Sequence, residues 1–121
     1  MSVFRTETNL NEKQIHNVLR NDRRRQVLKQ LQQSVGQLSV RELSEAIAEA
    51  ETGKSPPPRN IRDSVYNALN QTHLPKLDSL GILEYNPHRK TVSLQSSARE
   101  VSLYMEVVTK YTLAKARRYI Y

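Results

Sequence analysis

The sequence predicts an α+β fold that is mainly α-helical, and three observations carry that expectation. Apolar residues recur at three- and four-residue spacing behind polar capping positions, Asn11 with Gln14, Ser39 with Glu42 and Ser97 with Glu100. Two short stretches, Leu83-Glu84-Tyr85 and Thr91-Val92-Ser93-Leu94, instead alternate apolar and polar residues around a turn that holds Pro87. Ser64 to Leu83 passes from the helical period to the strand period through Gly81, tying the two patterns together.

In chain order, residues 1–10 read as a loose arm. Asn11 caps a short helix whose apolar side is Ile15, Val18 and Leu19. Asn21 caps the next helix, which runs to about Gln33; Asp22 sits in its first turn, and Val27, Leu28 and Leu31 face inward. Arg23, Arg24 and Arg25 form a basic run at its start, either a face with satisfied neighbours or a phosphate contact. Ser34 to Leu38, with Gly36, reads as a turn leading into a very short extended piece. Ser39 opens a helix from Val40 to about Glu51 that buries Val40, Leu43 and Ile47, with Ala46 and Ala50 as further candidates. Its outer side carries Glu45, Glu49 and Glu51, which suits a supporting helix better than one lying against a polyanion.

Thr52 to Pro58, TGKSPPP, breaks the helical pattern, because three prolines cannot continue a helix. Its expected role is to aim the next helix. Asn60 is the expected cap there, with Arg59 just outside it and Asp63 at the third position. Tyr66, Leu69, His73, Leu74, Leu77 and Leu80 fall on one side, with His73 read as a partly buried packing residue. Ser64, Asn67, Ala68, Gln71 and Thr72 fall on the other. That second side lacks the Lys and Glu of an ordinary solvated face and carries side chains able to read base edges. Pro75 either kinks this helix or starts a second one.

The two alternating stretches form a hairpin with one buried side, and His88, Arg89 and Lys90 charge its tip. The last helix, from Ala98 towards Tyr121, has an apolar stripe of Val101, Tyr104, Met105, Val108, Tyr111 and Thr112, wider than a solvated helix needs. That stripe either packs back on its own domain or pairs with a second copy, and dimerisation is the favoured expectation. The succession is that of a winged helix-turn-helix with a two- or three-stranded wing sheet and an extra C-terminal helix. The expected division is an arm at 1–10, the winged-helix domain at 11–96 and the dimer helix at 97–121.

Composition narrows the partners. The chain has 121 residues and a net charge of +7, from 19 Lys and Arg against 12 Asp and Glu. Such a balance points to an anionic partner. There is no cysteine, which excludes disulfides and thiolate metal sites. No signal-peptide core and no apolar run of about 18 residues are present, so no membrane partner is expected. His16, His73 and His88 lack metal-ligand spacing, and three glycines form no phosphate loop. The six tyrosines are not arranged as a strip for stacking single-stranded bases. The expectation is therefore no enzyme, no cofactor, no metal and no evident small-molecule ligand.

The run His73-Leu74-Pro75-Lys76-Leu77-Asp78-Ser79-Leu80-Gly81-Ile82-Leu83 resembles the end of the recognition helix in archaeal and bacterial winged-helix regulators. Asn21 to Leu28, Val40 to Leu43 and Val65 to Asp78, in that order, resemble a largely uncharacterised winged-helix family abundant in haloarchaea, over roughly residues 12 to 95. Haloarchaeal proteins are usually acidic, and this chain departs from that by being basic. The resemblance implies a winged-helix fold and transcriptional regulation. The resulting expectation is a homodimer, cytoplasmic and nucleoid-associated, that binds double-stranded DNA in a sequence-specific manner. Ser64, Asn67, Gln71 and Thr72 would meet base edges and Ala68 a thymine methyl. Asn60 is counted with them at the helix start. Arg59, Arg62 and Lys76 would contact phosphates, and His88, Arg89 and Lys90 would form the wing contact. The alternative is a protein-interaction module that binds an acidic partner from the transcription machinery.

Overall fold

The computed structural model describes residues 11–34 and 36–95. The expected arm and the C-terminal helix with its dimer stripe lie outside these residues. The described part is α+β and mainly helical, with a winged-helix layout.

Helix α1 (Glu12–Leu19) starts on a capping box. The Asn11 side chain accepts from the backbone N–H of Gln14 at 2.8 Å, and the Gln14 side chain accepts from that of Asn11 at 3.0 Å. Helix α2 (Asp22–Gln33) is capped by Asn21, which accepts from the Arg24 N–H at 3.1 Å. Strand β1 (Leu38–Ser39) leads directly into helix α3 (Val40–Thr52), where Ser39 and Glu42 form a second reciprocal box. Hydrogen bonds from Ser39 hold the Glu42 carboxyl below its ordinary pKa.

Helix α4 (Arg59–Ala68) begins two residues earlier than a cap at Asn60 would place it. Pro58 occupies the cap position without a side-chain hydrogen bond, and Asn60 lies inside the first turn. The Pro58 carbonyl accepts from the N–H groups of Ile61 and Arg62 at 3.1 and 3.0 Å, which closes the first turn without a polar side-chain cap. The linker also packs: Pro57 is buried, and Ser55 donates to Glu49 Oε1 at 3.1 Å.

Pro75 neither breaks the helix nor leaves it regular. The chain stays helical from Arg59 to Ser79 but passes through a π-helical turn at Leu69–His73, before helix α5 (Leu74–Ser79). In a regular α-helix the Pro75 ring would press on the carbonyl of Gln71 and one ladder bond would be lost. The wider turn, closed by Leu74 N–H to Leu69 O, lies just ahead of that point and puts Pro75 in the first turn of α5. The run ends in a Schellman motif: Gly81 at φ +75° donates to Asp78 O, and Ile82 donates to Leu77 O.

Strands β2 (Leu83–Asn86) and β3 (Thr91–Leu94) form the hairpin, and β1 adds to its other edge in an antiparallel sheet of order β1-β3-β2. The register sets Leu83 opposite Leu94, and Val92 between Tyr85 and Leu38. Val18, Val27, Leu28, Leu31, Val40, Leu43, Ile47, Val65, Leu69, Leu74, Leu77, Ile82, Leu83 and Val92 make one core. Each such side chain contributes about 1.5–3 kcal/mol of transfer free energy. Two expectations for α3 are corrected: Ala50 is exposed and Ala46 half-buried, while Ser44 and Ala48 are buried. The Ser44 hydroxyl is tolerated there because it donates to Val40 O at 2.7 Å.

Candidate nucleic-acid interface

Asn60, Ser64, Asn67 and Gln71 recur at spacings of four, three and four residues along the α4–π–α5 run, and all four are exposed. They form a continuous outward stripe of amide and hydroxyl groups. Thr72 is exposed beside Gln71, and Ala68 is half-buried on the flank. The opposite side buries Val65, Leu69, His73, Leu74 and Leu77, with Tyr66 and Leu80 half-buried. Gln71 and Thr72 belong to the π turn, so their backbone presentation differs from that of a regular helix.

The helix is held against the rest of the domain by polar contacts as well as by its core face. Tyr85 Oη, on β2, donates to Asn70 Oδ1 at 2.7 Å, and the Asn70 amide donates to Tyr66 O at 3.1 Å. Tyr85 N–H donates to Asp78 Oδ2 at 3.0 Å. One strand residue thus grips both the π turn and α5. On the other side, Arg24 Nε donates to Nδ1 of the buried His73 at 3.4 Å and Arg24 Nη1 to Asn17 O at 3.1 Å. Burial first, and then the Arg24 and Arg23 charges, push the His73 pKa below its ordinary value. A neutral ring accepting at Nδ1 satisfies that geometry.

The three arginines of α2 are therefore structural ties. Arg23 makes a bidentate pair with Glu51 of α3 at 2.7 and 3.1 Å, which raises its pKa. Arg25 pairs with Asp22 and donates to Leu19 O. Glu51 and Glu49, read as a solvated acidic side, brace α2 and the proline linker.

The basic residues expected at phosphates divide into two places. Arg59 and Arg62 lie in α4 near Asp63, at 3.9 and 3.8 Å, and line a cleft against α3 together with Arg41, Ser44 and Tyr66. Lys76 is half-buried in α5. On the hairpin tip, Asn86 Oδ1 accepts from the N–H groups of His88 and Arg89 at 3.0 Å each, and Lys90 adopts φ +56°. His88 and Arg89 are exposed there, and Lys90 is half-buried. Lys90 O accepts from Val40 N–H at 2.9 Å, so the wing is fastened to the residue preceding Arg41. Arg41 is not among the residues that the sequence predicts at phosphates. The available signal was its isolation as the only cation within α3, whose other charges are all acidic.

A family model described as a domain of unknown function, DUF7344, matches residues 16–93. The chain belongs to this family. No curated protein and no solved structure matches it. The DUF7344 match runs from within α1 to within β3 and so takes in the amide stripe, the cleft and the wing. Among the described residues, no group of three or more His, Cys, Asp or Glu is placed to hold a metal, and no helix is long and apolar enough to cross a membrane.

Proposed function

We propose that this domain binds double-stranded DNA in a sequence-specific manner and acts in transcription regulation as a homodimer. The observation that carries this reading is the exposed stripe Asn60, Ser64, Asn67 and Gln71. It runs along a helix that the core and Tyr85 hold rigidly from behind. Asn and Gln form bidentate pairs with adenine, and Ser and Thr reach either kind of base pair, so the stripe suits the major groove. Arg59 and Arg62 beside it, and Arg89 and Lys90 on the wing, supply the charge for backbone contacts. Dimerisation rests on the sequence stripe from Val101 to Thr112. The α-helical α3, with Glu49 and Glu51 engaged internally, serves as the supporting helix.

Selection of bound sequences from a random duplex pool tests the reading. A recovered palindromic motif, with half-sites spaced by about one helical turn, is the expected result for a two-fold dimer. Recovery of a pool no different from the input would remove sequence specificity from the account.

A further inference from the structure

The cleft between α3 and α4 has a composition that its internal contacts do not use up. It is about 240 Å³ in volume and is lined by Arg41, Ser44, Arg59, Arg62, Asp63 and Tyr66. Asp63 is the only carboxylate among its described lining residues, and it stands 3.9 and 3.8 Å from Arg59 and Arg62, beyond good hydrogen-bond distance. Among the described residues, Arg41 has no acceptor and the Tyr66 hydroxyl has no partner, whereas Ser44 already donates to Val40 O. Three guanidinium groups and a phenol with unspent donors thus converge on a concave site of net positive charge. Planar guanidinium forks match tetrahedral oxyanions better than ammonium groups do.

We propose that this cleft binds a phosphoryl group. Two sources share that chemistry, a backbone phosphate of a duplex and the phosphate of a small molecule. The site stands on the cleft itself, and only its assignment to a backbone phosphate rests on the duplex-binding reading. Arg41 is the residue that distinguishes it from an ordinary helix–duplex contact, because it comes from the supporting helix.

The test uses the full chain at low salt, with pyrophosphate as the probe and backbone amide NMR shifts as the readout. Saturable shifts at residues 40–44 and 59–66 are expected, lost in both Arg41→Gln and Arg62→Gln. Arg41 is exposed and has no partner among the described residues, so Arg41→Gln should melt as the parent does without the anion and can decide the matter alone. Displacement of pyrophosphate by duplex assigns the site to the DNA backbone, and persistence beside duplex assigns it to a small molecule. If duplex fails to bind while pyrophosphate binds in an Arg41-dependent manner, the site stands and the duplex reading falls. If pyrophosphate does not bind, a salt slope for duplex binding that flattens by about one in Arg41→Gln still supports the backbone source. The proposal is overturned by shifts that Arg41→Gln leaves intact. It is equally overturned if pyrophosphate does not bind and Arg41→Gln does not alter duplex binding.

Discussion

Tyr85 on the hairpin donates its hydroxyl to Asn70 in the π turn at 2.7 Å, fixing the wing strand to the middle of the exposed-stripe helix. The bond is partly buried, so Tyr85→Phe leaves the Asn70 carbonyl oxygen without its donor. The expected loss is about 1 kcal/mol of unfolding free energy. In a double-mutant cycle with Asn70→Ala, the two losses should be non-additive by about 0.5–1.5 kcal/mol. Simple additivity in denaturant titrations would mean that the contact contributes nothing to stability.

Arg23 and Glu51 join α2 to α3 by a two-pronged ion pair whose side chains are each about a third exposed, at 29% and 32%. Glu51→Gln should therefore cost about 0.5–1 kcal/mol at low ionic strength, and the cost should shrink as salt is added. Melting curves across a salt series would show a constant difference if packing, rather than charge, held these helices together.

His73 gives the fold a pH dependence of defined sign. Its folded-state pKa is lowered, so the unfolded chain takes up a proton first as pH falls. Its contribution to stability is complete above the ordinary histidine value of 6.5, diminishes as pH drops below it, and levels off once the folded-state value is passed. His73→Gln keeps an acceptor for Arg24 but cannot titrate. It should flatten the decline in unfolding free energy as pH falls below 6.5. An unchanged slope in that variant would assign the decline to carboxylates instead.

Much of this architecture is legible in the residues, because its determinants are local. The boxes at Asn11 and Ser39 and the alternation around Pro87 specify elements within a few residues. The polar stripe followed from the helical period alone, since Ser64, Asn67 and Gln71 needed only to oppose Leu69, Leu74 and Leu77. Long-range pairing was not legible. Arg23 meets Glu51 and Arg24 meets His73 across 28 and 49 residues, and nothing in either neighbourhood announces the partner. The π turn was hidden for a different reason: Pro75 signals a disturbed ladder but not which of several relaxations the packing selects. Arg41 joins the cleft only because α3 and α4 pack against each other, which sequence spacing does not encode.

Gln71 is the stripe residue whose role is most specific in the duplex-binding account, since it lies exposed in the π turn. Gln71→Ala should weaken binding to a selected site by about 1–3 kcal/mol and relax the preference at one base pair, with non-specific binding little changed. Equal weakening on all sequences, measured by competition between selected and scrambled duplexes, would argue against base contact by this residue.

The most direct measurement is the salt dependence of duplex binding by the unmodified chain, beginning at low ionic strength and compared with Arg89→Ala, Lys90→Ala. Measurable binding is expected, its logarithm falling linearly and steeply with the logarithm of salt concentration, with a slope flatter by about two in the double variant. A chain that retains no duplex even at the lowest salt would contradict DNA binding outright.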